Sequence, residues 1–98
     1  MDCKFVERSW IAKVAARRLK YKHIAMVVGN TIHLHGVSKD DFIQNERWLR
    51  HEMEHIKQFK QHGFVPFIYK YLLESLRNGY YNNKFEIEAR AAEDAGKI

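Results

Sequence analysis

The chain has 98 residues, with 17 Lys and Arg against 12 Asp and Glu, for a formal net charge of +5, and it carries six His and one Cys. That length predicts one domain over residues 1–98 with a single modest core. The lone cysteine, Cys3, excludes an intramolecular disulfide framework and points to a reducing, cytoplasmic setting. The N-terminal residues hold no uninterrupted apolar stretch of the signal-peptide kind, and the longest apolar run, Phe64 to Leu73, contains Pro66 and Lys70 and is too short to cross a bilayer.

Ser9 is suited to cap a first helix from about Trp10 to Leu19. Its spacing turns Trp10, Ile11, Val14, Ala15 and Leu19 to the core and exposes Lys13, Arg17, Arg18 and Lys20. His23 to Val28 and Thr31 to His35 read as two strands joined by a tight hairpin at Gly29-Asn30. The second strand alternates, with Ile32 and Leu34 on one face and Thr31, His33 and His35 on the other. Ser38-Lys39-Asp40-Asp41 supplies caps for a long helix ending near His62, with Gly63 as terminator. Pro66 opens a third helix, Asn78-Gly79 closes it, and residues 84–95 form the last.

Within the long helix, residues 51–55 read His51-Glu52-Met53-Glu54-His55, an HExxH motif. Residues four apart on a helix share a face, so both imidazoles can reach one metal ion while Glu52 stands beside it. This is the pattern of a zinc metallopeptidase: two His and a further carboxylate leave an open position for water, and the glutamate takes its proton. Projected at the helical period, Glu52 shares its sector with Asn45, Trp48, Leu49, Ile56 and Phe59, and His51 and His55 flank that sector together. A carboxylate among such neighbours is costly to bury without a partner.

A third ligand is expected from residues 83–93, where two glutamates compete. Asn83 followed by Glu86 matches a helix cap with its reciprocal partner, which assigns Glu86 a structural task. Glu88 groups with Phe85, Ala89, Ala92 and Ala95 on the apolar side, so Glu88 is the expected ligand. The other histidines have simpler readings. His33 and His35 could chelate a metal, but an exposed strand face explains them, and His23 and His62 fall near element ends. Tyr80 and Tyr81 could donate hydrogen bonds to an oxyanion, with rim packing as the plainer role. In and just after the aromatic segment Phe64 to Leu73, Phe64, Phe67, Ile68, Tyr71, Leu72 and Leu76 are expected to cover the back of the HExxH helix, any surplus aromatics marking a partner surface.

HExxH, Gln58 three residues after the second His, Gly63, an aromatic segment, Gly79-Tyr80 and Phe85-Glu86-Ile87-Glu88-Ala89-Arg90 together resemble the gluzincin class of metallopeptidases, in particular the very small minigluzincins and small bacterial HExxH domains. The resemblance implies a zincin-like domain, zinc bound by His51, His55 and Glu88, and Glu52 as general base in peptide-bond hydrolysis. The expected fold is α+β: a short sheet or hairpin packed on an active-site helix and a third-ligand helix. The strand Thr31 to His35 is expected to be an edge that holds an extended peptide or protein substrate along a shallow groove. Residues after Ala92 folding back over the metal would make the chain latent.

Two other classes compete. A zinc-binding scaffold would keep the site without independent turnover. The basic run Lys13, Arg17, Arg18, Lys20 and Lys22 suits a nucleic-acid-binding module, but no reader motif accompanies it, so nucleic acid is not an expected partner.

Overall fold

A computed structural model of the protein describes residues 3–94. In chain order it runs β1 (Lys4–Val6), α1 (Trp10–Leu19), β2 (Ile24–Val28), β3 (Thr31–His35), α2 (Lys39–Gln44), α3 (Glu46–His62), α4 (Phe64–Asn78) and α5 (Lys84–Asp94). The architecture is α+β, with a three-stranded mixed sheet ordered β1-β3-β2. None of the helices among the described residues is long and apolar enough to cross a membrane.

The hairpin forms where its turn chemistry places it. Gly29 takes φ +66°, and β2 pairs antiparallel with β3 from Val28 opposite Thr31 to Ile24 opposite His35. β1 then adds to the other side of β3 in parallel, Phe5 opposite Ile32. The expectation that Thr31–His35 is an edge strand is therefore corrected, because β3 is the centre of the sheet and paired on both sides. A three-residue strand such as Lys4–Val6 leaves almost no periodic signal, and its partner lies far along the chain. The exposed edge beside the helices belongs to β2.

Strand alternation divides the core. Ile32 and Leu34, both fully buried, face Phe42 and Ile56, with Trp48, Leu49 and Met53 packed around them. His33 points to the opposite face, where its Nδ1 lies 2.8 Å from Ser9 Oγ at the start of α1. It does not border a cleft with His51 and His55. Ser9 also caps α1, accepting from the Ala12 amide.

α1 meets the sheet through Ala12 and Ala16, which are buried, whereas Trp10 (73% exposed), Val14 and Leu19 face outward. The expected orientation is therefore corrected in part: Lys13, Arg17, Arg18 and Lys20 are exposed and Ile11 and Ala15 partly covered, as expected, but Ala12 and Ala16 form the innermost line in place of Trp10, Val14 and Leu19. Small side chains one turn apart let the helix close on the sheet.

Asn45 divides the expected single long helix in two. Ser38 Oγ caps α2 through the Asp41 amide, and α2 places Phe42 in the core. Asn45 Oδ1 then caps α3 by accepting from the Trp48 amide. α5 lies along α3, and Phe59, Phe67 and Phe85 form a second apolar cluster with Val27 and Tyr71 against it. Each such fully buried side chain contributes about 1.5–3 kcal/mol relative to exposure.

Candidate metal centre

α3 carries His51, Glu52 and His55 toward α5, and the period of the helix sets their order. His55 and Glu52 are buried (8% and 6% exposed) and His51 is half-buried. The two imidazole rings stand 5.1 Å apart at an interplanar angle of 72°.

The carboxylate that meets them is Glu86. Its Oε1 lies 3.2 Å from His51 Nε2 and 3.3 Å from His55 Nε2, and one ligand atom from each of the three residues falls within 4.8 Å of the others. Glu86 is 3% exposed, and its Oε2 accepts a 2.5 Å hydrogen bond from the Tyr71 hydroxyl.

Glu88, the ligand expected from the sequence, is exposed and accepts instead from Gln58 Nε2 at 2.9 Å. The structure thus brings Glu86 and not Glu88 to the histidines. The buried arc of α5 runs through Phe85, Glu86 and Ala89, and at about 100° per residue Glu88 lies roughly 200° around from Glu86. The reciprocal cap is also incomplete: Asn83 Oδ1 accepts from the Phe85 amide, but the Glu86 side chain turns to the histidines instead of returning to Asn83.

Each imidazole is oriented from behind. His51 Nδ1 lies 2.9 Å from Glu93 Oε2, and His55 Nδ1 lies 2.9 Å from Gln58 Oε1. Gln58 is itself fixed, since its Nε2 donates to the Phe85 carbonyl and to Glu88, so its oxygen must be the acceptor. Both Nδ1–H groups therefore donate backward, and both Nε2 atoms face Glu86. The donor set is one that could hold a metal ion: two Nε2 atoms and a carboxylate oxygen converge, with outer partners that set the imidazole tautomer.

Reading the sequence left Glu93, Tyr71 and the role of Gln58 unassigned. Glu93 stands two turns after Glu86 and Gln58 one turn after His55, so helical spacing from a correct ligand would have found both. Nothing local marks Tyr71.

The charges are strongly coupled. Burial works against the charged form of His51, but Glu86, Glu52 and Glu93 outweigh it and push its pKa up to about 9. The same balance raises His55, through Glu86, Glu52 and Gln58. Burial raises Glu52 to about 7, against the pull of His55, His51 and a Trp48 hydrogen bond. For Glu86, burial is overcome by the two histidines and Tyr71, and its pKa falls well below the carboxylate range. Burial and the neighbouring Glu86 hold the Tyr71 hydroxyl well above its ordinary value.

A groove of about 560 Å³ opens beside the site, lined by His51, Glu52, Trp48, Tyr80 and, from β2, Ile24 and Ala25. Tyr80 is 63% exposed on its rim. Tyr81 turns away, its ring 4.0 Å beneath the Arg90 guanidinium. His23 hydrogen-bonds the Gly36 carbonyl at 2.6 Å, and His62 lies against Phe67 and Phe85, so neither joins the cluster. Of the residues after Ala92 expected to fold over the metal, Glu93 and Asp94 end α5, and residues 95–98 lie outside the described residues.

Comparison with protein-family models, curated proteins and solved structures finds no match to the chain.

Proposed function

We propose that the chain is a minimal zincin-like metallopeptidase domain that binds zinc through His51, His55 and Glu86 and hydrolyses peptide bonds with Glu52 as general base. The observation that carries this reading is the convergence of His51 Nε2, His55 Nε2 and a Glu86 oxygen within 4.8 Å, with HExxH supplying a glutamate next to the ligands. Zinc held there supplies Lewis-acid polarisation of a scissile carbonyl and of an attacking water.

The residues of the chain have separable tasks. Glu52, buried and with a pKa of about 7 before metal binding, is placed to accept a proton near neutrality and return it to a leaving amine. Glu93 and Gln58 hold the imidazoles in the tautomer that leaves Nε2 facing inward. The free edge of β2 borders the groove and offers backbone groups to an extended peptide, the task the sequence assigned to β3.

Glu52→Gln is the test. The variant should retain near-stoichiometric zinc yet lose hydrolysis of an unstructured protein substrate by about a hundredfold or more. Zinc-loaded wild-type protein without turnover would replace this reading with a zinc-bound scaffold, and loss of zinc in the variant would make Glu52 a ligand.

A further inference from the structure

We propose that the outer face of α4 is a two-fold contact between two copies of this chain. The inference is independent of the zinc reading. α4 is held to its own domain by a narrow inner strip: Phe67 is its only buried residue, Tyr71 reaches Glu86, and Glu74 and Ser75 bond to Lys84 and Asn83. The outer side is apolar and largely uncovered among the described residues, although the Phe64 ring also lies 5.5 Å from that of Phe59. Phe64, Val65, Ile68, Tyr69, Leu72 and Leu76 are between 36% and 85% exposed.

Their spacing forms a packing surface. Phe64, Ile68, Leu72 and Leu76 recur every fourth residue as one ridge, with Val65 and Tyr69 on the next. Two ridges of the i±4 kind interdigitate when helices cross at about −50°, and a two-fold axis lets one ridge meet its own copy. The area is suitable as well. These side chains expose on the order of 700 Å², more than the apolar patches of most monomers and close to the roughly 800 Å² that each partner contributes to a standard interface.

The charge pattern favours a second copy over an anionic membrane. The apolar sector spans about 140° and contains no charged residue. The cations of α4, Lys70 and Arg77, lie on one flank only, whereas the other flank carries Phe67, Tyr71 and Glu74 against the domain. A helix that lies on an anionic membrane has a polar face rich in Lys and Arg, whereas α4 has only these two. Here the contact face is neutral, and the net charge of +5 resides outside it.

Sedimentation of the full chain from 1 to 200 μM, at low and high salt, tests the proposal. A dimer should form, and association should strengthen with salt, because screening relieves repulsion between two positive copies. Leu76→Lys, at a position 85% exposed and so harmless to the fold, should weaken association at least tenfold. Leu72→Glu combined with Leu76→Glu should give a monomer with unchanged zinc binding and circular dichroism. A wild-type monomer at 200 μM, or a dimer insensitive to Leu76→Lys, would overturn the proposal. Flotation of monomeric wild type with phosphatidylglycerol vesicles, lost on adding salt, would also overturn it and assign the face to lipid.

Discussion

Glu86 and Glu88 stand two residues apart on α5 and meet opposite surroundings. Glu86 is enclosed by two imidazoles and a phenol, while Glu88 is exposed and accepts from the amide of the buried Gln58. Glu86→Gln removes a ligand charge and should lower zinc affinity by more than about a hundredfold, against less than about tenfold for Glu88→Gln, as read by chelator competition. Glu93→Gln, which leaves His51 without its carboxylate partner, should fall between them at about 10–100-fold. Protons compete with the metal at the same atoms. With His51 raised to about 9, its imidazole carries a proton that zinc must displace at neutral pH, and the upward shift of His55 acts in the same direction. Zinc affinity should therefore climb with pH, by about tenfold per unit or more between pH 6 and 8. A flat profile would mean that the histidines are neutral before the metal arrives.

Elements with strong local chemistry form where the sequence places them. Ser9 starts α1, Gly29-Asn30 turns the hairpin, Gly79 follows the end of α4, and Asn83 starts α5. Gly36 shows how strict such a position becomes once a neighbour closes in. Its φ is +80°, and a Cβ there would stand 2.2 Å from the Lys22 carbonyl oxygen, a backbone atom that cannot move aside alone. Gly36→Ala should destabilise the domain by about 2 kcal/mol or more in urea unfolding. Gly79 has a similar φ of +79°, with ψ 168° in a region essentially reserved for glycine, but nothing lies within 4 Å of its Cβ position, so Gly79→Ala should cost the backbone strain alone, about 1–3 kcal/mol, and less than Gly36→Ala, where a clash adds to strain. Equal losses would show that the Lys22 carbonyl yields.

At the scale of the whole molecule, the cluster of His51, Glu52 and Glu86 links folding to pH. The raised His51 contributes stability that is fully present below its ordinary pKa of 6.5 and disappears as pH rises through about 9. Glu86, with a lowered pKa, contributes stability that is present above its ordinary 4.5 and fades only in acid. Glu52 acts at lower pH: its raised pKa contributes stability that is present below its ordinary 4.5 and is lost as pH rises through about 7, where ionising it leaves a buried carboxylate. Metal-free protein should therefore lose melting temperature steadily between pH 6.5 and 9. Zinc-loaded protein should not, since binding to the folded state stabilises it more as proton competition weakens. Calorimetry of both forms at several pH values checks this, and parallel curves would count against the coupling.

What the sequence determined by itself was local. HExxH puts both histidines and Glu52 on adjoining parts of one helix face because the helical period alone dictates it, and the caps and hairpin turn follow from residues that satisfy nearby backbone groups. Tertiary structure decided which arc of each helix is covered. On α5, Phe85 and Ala89 belong equally to a core stripe with Glu86 or with Glu88, and only the line along which α3 lies selects Glu86. On α1, the contact with the sheet selects Ala12 and Ala16 over Trp10 and Val14, because closeness of approach outweighs the size of the apolar side chain. The position of β3 between β1 and β2 depends on a pairing across some 25 residues, which no local periodicity encodes. The same long-range packing carried Tyr71 to Glu86 and Glu93 to His51.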